Sequence, residues 1–307
     1  MKHKETKVKT SMIDGVVGAS HEESAEIMEE LRNRFENPHF PEISKFEKKK
    51  TERDLRIIED VNKATNELRI NAGLEPFDIP AKNIHILRDD GSMSNLLGGV
   101  TDTMRGYILI QGADTALQLG KRLFHEVQHA KARNVVQLLP ESHEVSPFRQ
   151  GLEVYPRRQM DRILFPRHEK CYFRELNESV VEENTRRYVI AQWDNPLYAD
   201  DFAETNLLHN EVLKRGWYKL YLNQNIFQYY LVGDNITCEE FSYKKERAAL
   251  CTICVGLSQK NRKKLRTADG VLELFSNAMF TGQTFTISCL MEKTFGKGTM
   301  RKIGTPD

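Results

Sequence analysis

The amino-acid sequence predicts an α+β protein, in which a lobe with a small sheet beside a motif-bearing helix packs against a mainly helical C-terminal lobe. Three observations predict it. Two strand-like runs precede a capped amphipathic helix that carries HEVQH, His125 to His129; a second helical segment, Leu176 to Gln192, carries paired acids; and apolar positions after Trp193 recur mainly at helical spacing. Three segments follow: an N-terminal arm or extension (1–50), the sheet-bearing lobe (51–191) and the helical lobe (192–307).

Within residues 1–50, Ser20 and Glu23 form a capping-box pattern before an apolar stripe of Ile27, Met28, Leu31 and Phe35. ENPHFPEIS then breaks the helix, and KFEKKK reads as a solvated charge run. From Thr51, Leu55, Ile58, Val61, Thr65 and Leu68 recur at helical spacing, and Gly73 with Pro76 stops the helix. Ile84–Leu87 and Gly106–Ile110 read as strands, separated by turn-forming residues. Thr115 and Gln118 cap the helix that runs to about Arg133. PFRQGLEVYP and KCYFREL read as extended segments around a loop rich in Arg and Pro, and Leu176 opens the next helix.

Composition limits the function. At 39% hydrophobic residues the 307-residue chain can bury a substantial core. Its formal charge of +1 argues against a dedicated nucleic-acid partner. MKHKETKVKT is charged and lacks an apolar run after it, so no secretory signal is expected. The longest apolar stretch, Ala248 to Leu257, falls short of the roughly 20 residues a membrane-spanning helix needs. Five cysteines, Cys171, Cys238, Cys251, Cys254 and Cys289, are too few and too scattered for a disulfide framework, and a reducing cytoplasm is the expected location. Cys251 and Cys254 have C-x-x-C spacing without a second pair, and read as two small core residues.

HEVQH carries the chemistry. Residues four apart share a helix face, so the His125 and His129 imidazoles can reach one cation, while Glu126, about 100° around the helix, can address water beside it. A catalytic zinc needs a third protein ligand and an open position. Glu178 and Glu182 offer it: they are one turn apart, so one carboxylate can bind metal while the other orients a ligand imidazole. An exposed acidic face is the alternative, and Glu182, Glu153, His143 and His168 stay open as other third ligands. The basic loop of Arg157, Arg158, Arg162, Arg167, His168 and Lys170 reads as solvated, with an acidic-substrate path or a nucleic-acid contact as the alternatives.

HEVQH followed by LNESVVEE resembles the gluzincin group of zinc metallopeptidases, over Thr115–Arg133 and Arg174–Tyr188. The resemblance implies a zincin-like lobe, with Zn2+ held by His125, His129 and Glu178, Glu126 as general base toward a zinc-bound water, and Glu182 hydrogen-bonded to the first histidine. It also implies a Tyr, His or Arg beyond the third ligand that stabilises the transition state, for which Tyr198 and His209 are candidates. The chain is also similar to uncharacterised bacterial proteins with this pairing and a C-terminal segment like KTFGKGTMRKIG. The expected function is a zinc metallopeptidase with a peptide or protein substrate and no membrane. A non-catalytic or vestigial metal-binding regulatory or interaction protein is the alternative.

Overall fold

The computed structural model describes residues 9–38, 40–88, 98–111, 113–155, 171–214, 225–232, 235–263 and 265–305. The architecture is mixed α+β, with small sheets among longer helices. Among the described residues no helix is long and apolar enough to cross a membrane. The basic loop of the sequence reading, Arg157 to Lys170, lies outside the described residues, as do residues 1–8.

The N-terminal segment is not an appended arm. Strand β1 (Gly15–Val17) pairs in parallel with β5 (Asn134–Leu138), the first members of a sheet ordered β1-β5-β6-β7, with β6 at Val145–Gln150 and β7 at Glu153–Val154. Met12, Ile13, Leu31, Phe35 and Ile43 are all buried. That apolar load in so short a stretch favours docking over extension, because each buried side chain contributes roughly 1.5 to 3 kcal/mol. Helix α1 (His21–Glu36) begins at the expected capping box: Glu23 N–H donates to Ser20 Oγ, and Ser20 N–H donates to the Glu23 carboxylate. A short turn of helix, α2 (Pro41–Ser44), seats Ile43 against Leu87, Tyr107 and Leu109.

Helix α3 (Glu52–Asn71) is the expected amphipathic helix, and it closes its N-terminus with a Thr51–Asp54 capping box. Ile57, Ile58, Val61 and Thr65 form its buried face, whereas Leu55 points out to solvent. The second sheet is ordered β2-β4-β3, from β2 (Ile84–Leu87), β3 (Gly99–Asp102) and β4 (Tyr107–Gln111). In it β2 runs parallel to β4, and β3 pairs antiparallel to β4, leaving β3 at the edge.

Helix α4 (Ala116–Lys131) carries HEVQH and is anchored at both ends. Thr115 Oγ1 caps its N-terminus by accepting from Gln118 N–H. At its C-terminus, Arg69 donates to the Lys131 carbonyl at 2.7 Å and Lys9 to the Ala132 carbonyl at 2.9 Å. These cations satisfy orphaned carbonyls and complement the negative end of the helix dipole. Burial holds the Lys9 amine down at about 8 even with Asp14 beside it.

Helix α5 (Arg174–Ala191) starts two residues earlier than the sequence pattern suggested and packs on α4 through a buried polar seam. Gln128 Nε2 donates to the Val181 carbonyl and to Thr185, and Asn184 Nδ2 donates to Gln128 and to Ser276. Such a fully bonded seam fixes the rotation of α4 against α5, since any slip leaves buried amides unpaired.

The chain after residue 192 holds α6 (Ala199–Lys214), a hairpin of β8 (Ile226–Val232) and β9 (Asn235–Glu240), and helices α7 (Lys244–Lys260), α8 (Ala268–Thr281), α9 (Phe285–Phe295) and α10 (Thr299–Gly304). The expected boundary at residue 191 does not separate two cores. Tyr198, Phe202, Phe227 and Phe241 pack with Phe124 and Tyr188 in the core of α3 and α4. Conversely, Val180 and Val181 of α5 join Leu257, Phe275, Met279 and Met291 in the core of the C-terminal helices. Of the C-x-x-C pair, Cys254 is buried in that core and Cys251 is exposed.

Candidate metal centre

Three ligand-type side chains converge where α4 faces α5. His125 Nε2 and His129 Nε2 lie 3.3 Å apart. The Glu178 carboxylate sits across from both, its Oε2 3.4 Å from His125 Nε2 and its Oε1 3.5 Å from His129 Nε2. Four-coordinate zinc with bonds of about 2.0 to 2.2 Å sets its tetrahedral ligands about 3.3 to 3.6 Å apart. The three spacings therefore suit one small tetrahedral cation, and the donor set of two imidazoles and one carboxylate suits zinc.

Glu182 sits behind the three ligand-type side chains, as helical spacing requires, and is fully buried. Its Oε2 lies 2.8 Å from His125 Nδ1, so with the ring proton on Nδ1 the imidazole donates to the carboxylate and turns the Nε2 lone pair toward the centre. Its Oε1 accepts from Ser242 N–H at 2.7 Å and faces Lys121 Nζ at 3.2 Å. Burial would raise the Glu182 carboxyl, but the His125 bond and the Lys121 charge outweigh it and hold the carboxyl down at about 2. Burial would likewise lower the His125 imidazole, yet Glu178 and Glu182 hold it up at about 10. Glu178 falls well below the usual carboxylate range because the two imidazoles overcome its desolvation. The centre is built for positive charge.

Glu126 lies outside the ligand group but on the same cavity, a space of 530 Å³ lined also by Thr101, Glu153, Arg174 and Tyr243. Thr101 Oγ1 is 2.8 Å from Glu126 Oε2 and 2.9 Å from the Glu126 carbonyl, and so fixes the carboxylate against the edge strand β3. Gly99 makes room for it: a Cβ there would come within 2.7 Å of Glu126 Cγ. Among the described residues β3 pairs only with β4, and its residues Gly99, Val100 and Thr101 form one wall of the cavity beside a carboxylate that lies outside the ligand-type group.

Tyr243 overhangs the centre from the other side. It precedes α7 in a left-handed conformation with φ 52, and its ring lies parallel to the His125 imidazole at 6.4 Å. A bulky residue held at positive φ stores strain that its surroundings must support. The Ser242 N–H bond to Glu182 and the burial of Phe241 supply that support. No local pattern around FSYKK marks this residue, because its place depends on contacts with residues sixty or more positions earlier. Thr101, Gly99 and Arg174 escaped the sequence reading for the same reason.

The proposed transition-state residues lie elsewhere. Tyr198 is completely buried in the core, its hydroxyl 2.7 Å from the Tyr188 hydroxyl and 3.2 Å from the Asp60 carboxylate. His209 stacks on Tyr229 at 5.4 Å, on the face of α6 that packs on the β8–β9 hairpin. Neither lines the cavity. Of the alternative third ligands, Glu153 reaches the cavity but not the ligand group, His143 is exposed in the β5–β6 turn, and His168 lies outside the described residues.

Compared with protein-family models, with characterised proteins and with solved structures, the chain shows no match.

Proposed function

We propose that this chain is a zinc-dependent hydrolase of zincin-like build that cleaves peptide bonds, with His125, His129 and Glu178 holding the metal and Glu126 serving as general base. One observation carries the reading: two imidazole nitrogens 3.3 Å apart, each facing one oxygen of the Glu178 carboxylate at 3.4 or 3.5 Å, beside a second carboxylate that is left out of the ligand group. A purely structural zinc site would be closed by a fourth protein ligand, and among the described residues no fourth one joins the group.

Zinc, when bound, supplies a Lewis acid that polarises a carbonyl and lowers the pKa of water toward about 7. The protein's own groups do the rest. Glu126, held by Thr101, accepts the proton of the attacking water and delivers it to the leaving amine. Tyr243, whose phenol faces Glu178, offers a donor to the substrate oxygen as charge develops there. The edge of β3, unpaired among the described residues, suits an extended peptide, because its backbone groups can add one strand's worth of hydrogen bonds along the cavity.

The test combines metal content with hydrolysis. Purified protein should retain about one zinc per chain and cleave members of a peptide mixture read by mass spectrometry. Glu126→Gln should keep the zinc and lose roughly 10²- to 10⁴-fold in rate. Cleavage unchanged in that variant would remove Glu126 from the mechanism, and zinc retention without any cleavage would remove the hydrolase assignment.

A further inference from the structure

Among the described residues, one cation of the cavity has no partner. Lys121 faces Glu182 at 3.2 Å, and Arg122 is paired with Glu239 at 3.0 Å. Arg174 also lines the cavity, but among the described residues its guanidinium has no hydrogen bond or ion pair, only the more distant fields of Glu153 and Glu178. It is also in the wrong place for helix stability. As the first residue of α5 it sets a positive charge at the positive end of the helix dipole, where an acid would be favoured.

The chain spends conformational strain to put it there. Phe173, just before it, caps α5 in the left-handed region with φ 62 and no side-chain capping bond. The Phe173 N–H donates to the Gly304 carbonyl at 3.1 Å. Its ring lies so close to Gly304 that a Cβ on that residue would fall 2.5 Å from two ring carbons. Gly304 is the last residue of the KTFGKGTMRKIG segment, so this C-terminal motif acts as a clamp on the residue that directs Arg174. A local rule broken in two consecutive residues, and supported from more than a hundred positions away, marks a functional position.

Arg174 and Glu178 are one helical turn apart on the same face of α5, a rise of about 6 Å. That is close to two residues of an extended peptide, which advances about 3.3 Å per residue. We propose that Arg174 is a carboxylate subsite, selecting peptides that carry a carboxylate within about two residues of the bond at the metal centre. The carboxylate can come from the peptide's C-terminus or from an acidic side chain, since a guanidinium fork accepts either in a paired geometry. As a substrate site this rests on the hydrolase reading, whereas the affinity for a carboxylate does not.

The experiment uses fluorescein-labelled pentapeptides in matched pairs, free C-terminus against C-terminal amide and Glu against Gln at an internal position. Binding is read by anisotropy on the full chain carrying Glu126→Gln, with and without zinc, and with Arg174 native, Arg174→Met or Arg174→Lys. Arg174 is exposed and has no partner among the described residues, so its variants should fold, which far-UV circular dichroism checks. The expected result is a preference of roughly 10- to 100-fold for one carboxylate peptide over its neutral twin, reduced to about one by Arg174→Met and partly kept by Arg174→Lys. The pair that shows the preference identifies the source of the carboxylate. No preference in either pair, or one that survives Arg174→Met, overturns the subsite, even with zinc retained and cleavage observed. A preference that follows Arg174 in a protein that binds no zinc supports the subsite and removes the hydrolase reading instead.

Discussion

His125 is gripped from behind by Glu182, with Nδ1 and Oε2 2.8 Å apart, while the opposite ring nitrogen faces His129 Nε2 at 3.3 Å. One carboxylate therefore sets both the tautomer and the direction of the first imidazole, and it is in turn fixed by Lys121 and the Ser242 amide. This relationship orders the consequences of substitution at the site.

Loss of a side chain in the ligand group should be worse than loss of its support. His129→Ala and Glu178→Ala should each nearly abolish zinc retention, whereas Glu182→Ala should weaken it by roughly 10- to 100-fold. Elemental analysis after dialysis against a graded chelator series checks the order. Zinc lost from Glu182→Ala but kept by Glu178→Ala would exchange the two roles.

Proton linkage gives a second expectation. In the metal-free chain the His125 pKa is raised from 6.5 to about 10 by Glu178 and Glu182 against the pull of burial. Its contribution to stability is thus complete below about 6.5 and is lost as pH rises through about 10. Glu182, lowered from 4.5 to about 2, contributes fully above about 4.5 and loses that contribution as pH falls through about 2. The stripped protein therefore gains most from this pair between those windows. Zinc needs neutral imidazoles, so its binding must release at least one proton near neutral pH, and its affinity should rise about tenfold per pH unit for each proton released. Calorimetry in buffers of different ionisation enthalpy measures the release. The thermal stabilisation by zinc should also grow between about pH 6 and pH 8. Binding with no proton exchanged would contradict the charged metal-free site.

The residues that local pattern made legible are those whose neighbours lie within one helix. The Ser20–Glu23 box, the buried face of α3, the capped α4 and the one-turn spacing of Glu178 and Glu182 are all statements about residues a few positions apart. The centre is legible to that extent, because two helices each present their part of it. What closes the cavity was not legible. Gly99 and Thr101 meet Glu126 from an edge strand twenty-five or more residues away, and Tyr243 reaches His125 from the end of a hairpin. That hairpin could have been found: IFQYYLV is rich in β-branched and aromatic residues and is followed by Gly233 and Asp234, which favour a turn. In the N-terminal segment the many charged residues hide the few apolar ones, Met12, Ile13 and Ile43, that dock it.

Tyr198 should behave as a structural residue. Its hydroxyl shares Asp60 with Tyr188, and its ring fills the space beside Gly120 on α4, where an added Cβ would lie 2.8 Å from the hydroxyl. Tyr198→Phe should lower stability by about 1 to 2 kcal/mol and leave zinc content and catalytic rate unchanged. Gly120→Ala should cost about 1 to 3 kcal/mol through overpacking. Denaturant titration beside a peptide-cleavage assay separates stability from rate, and a large fall in rate for Tyr198→Phe at unchanged stability would return this residue to the catalytic machinery.

Gly99 gives the sharpest test of how Glu126 is positioned. Its place in β3, opposite Ile110 of β4, brings the strand backbone against the Glu126 side chain. A Cβ added there would lie 2.7 Å from Cγ, 2.9 Å from Oε1 and 3.1 Å from Cδ of that residue. Gly99 is not among the glycines with positive φ, so alanine is tolerated by its backbone and the whole effect of Gly99→Ala falls on Glu126. The carboxylate cannot simply turn aside, because Thr101 holds its other oxygen at 2.8 Å. It must shift by some tenths of an ångström or give up that bond, and a base displaced on this scale can lose up to about 10²-fold in rate. Gly99→Ala should therefore cut kcat by roughly 10- to 100-fold, and Thr101→Val, which frees the carboxylate without crowding it, should act in the same direction more weakly. Zinc content should stay at the wild-type level in both, since neither residue belongs to the ligand group. Full activity in Gly99→Ala, measured on the best peptide from the cleavage mixture, would show that the position of Glu126 against β3 plays no part in the reaction.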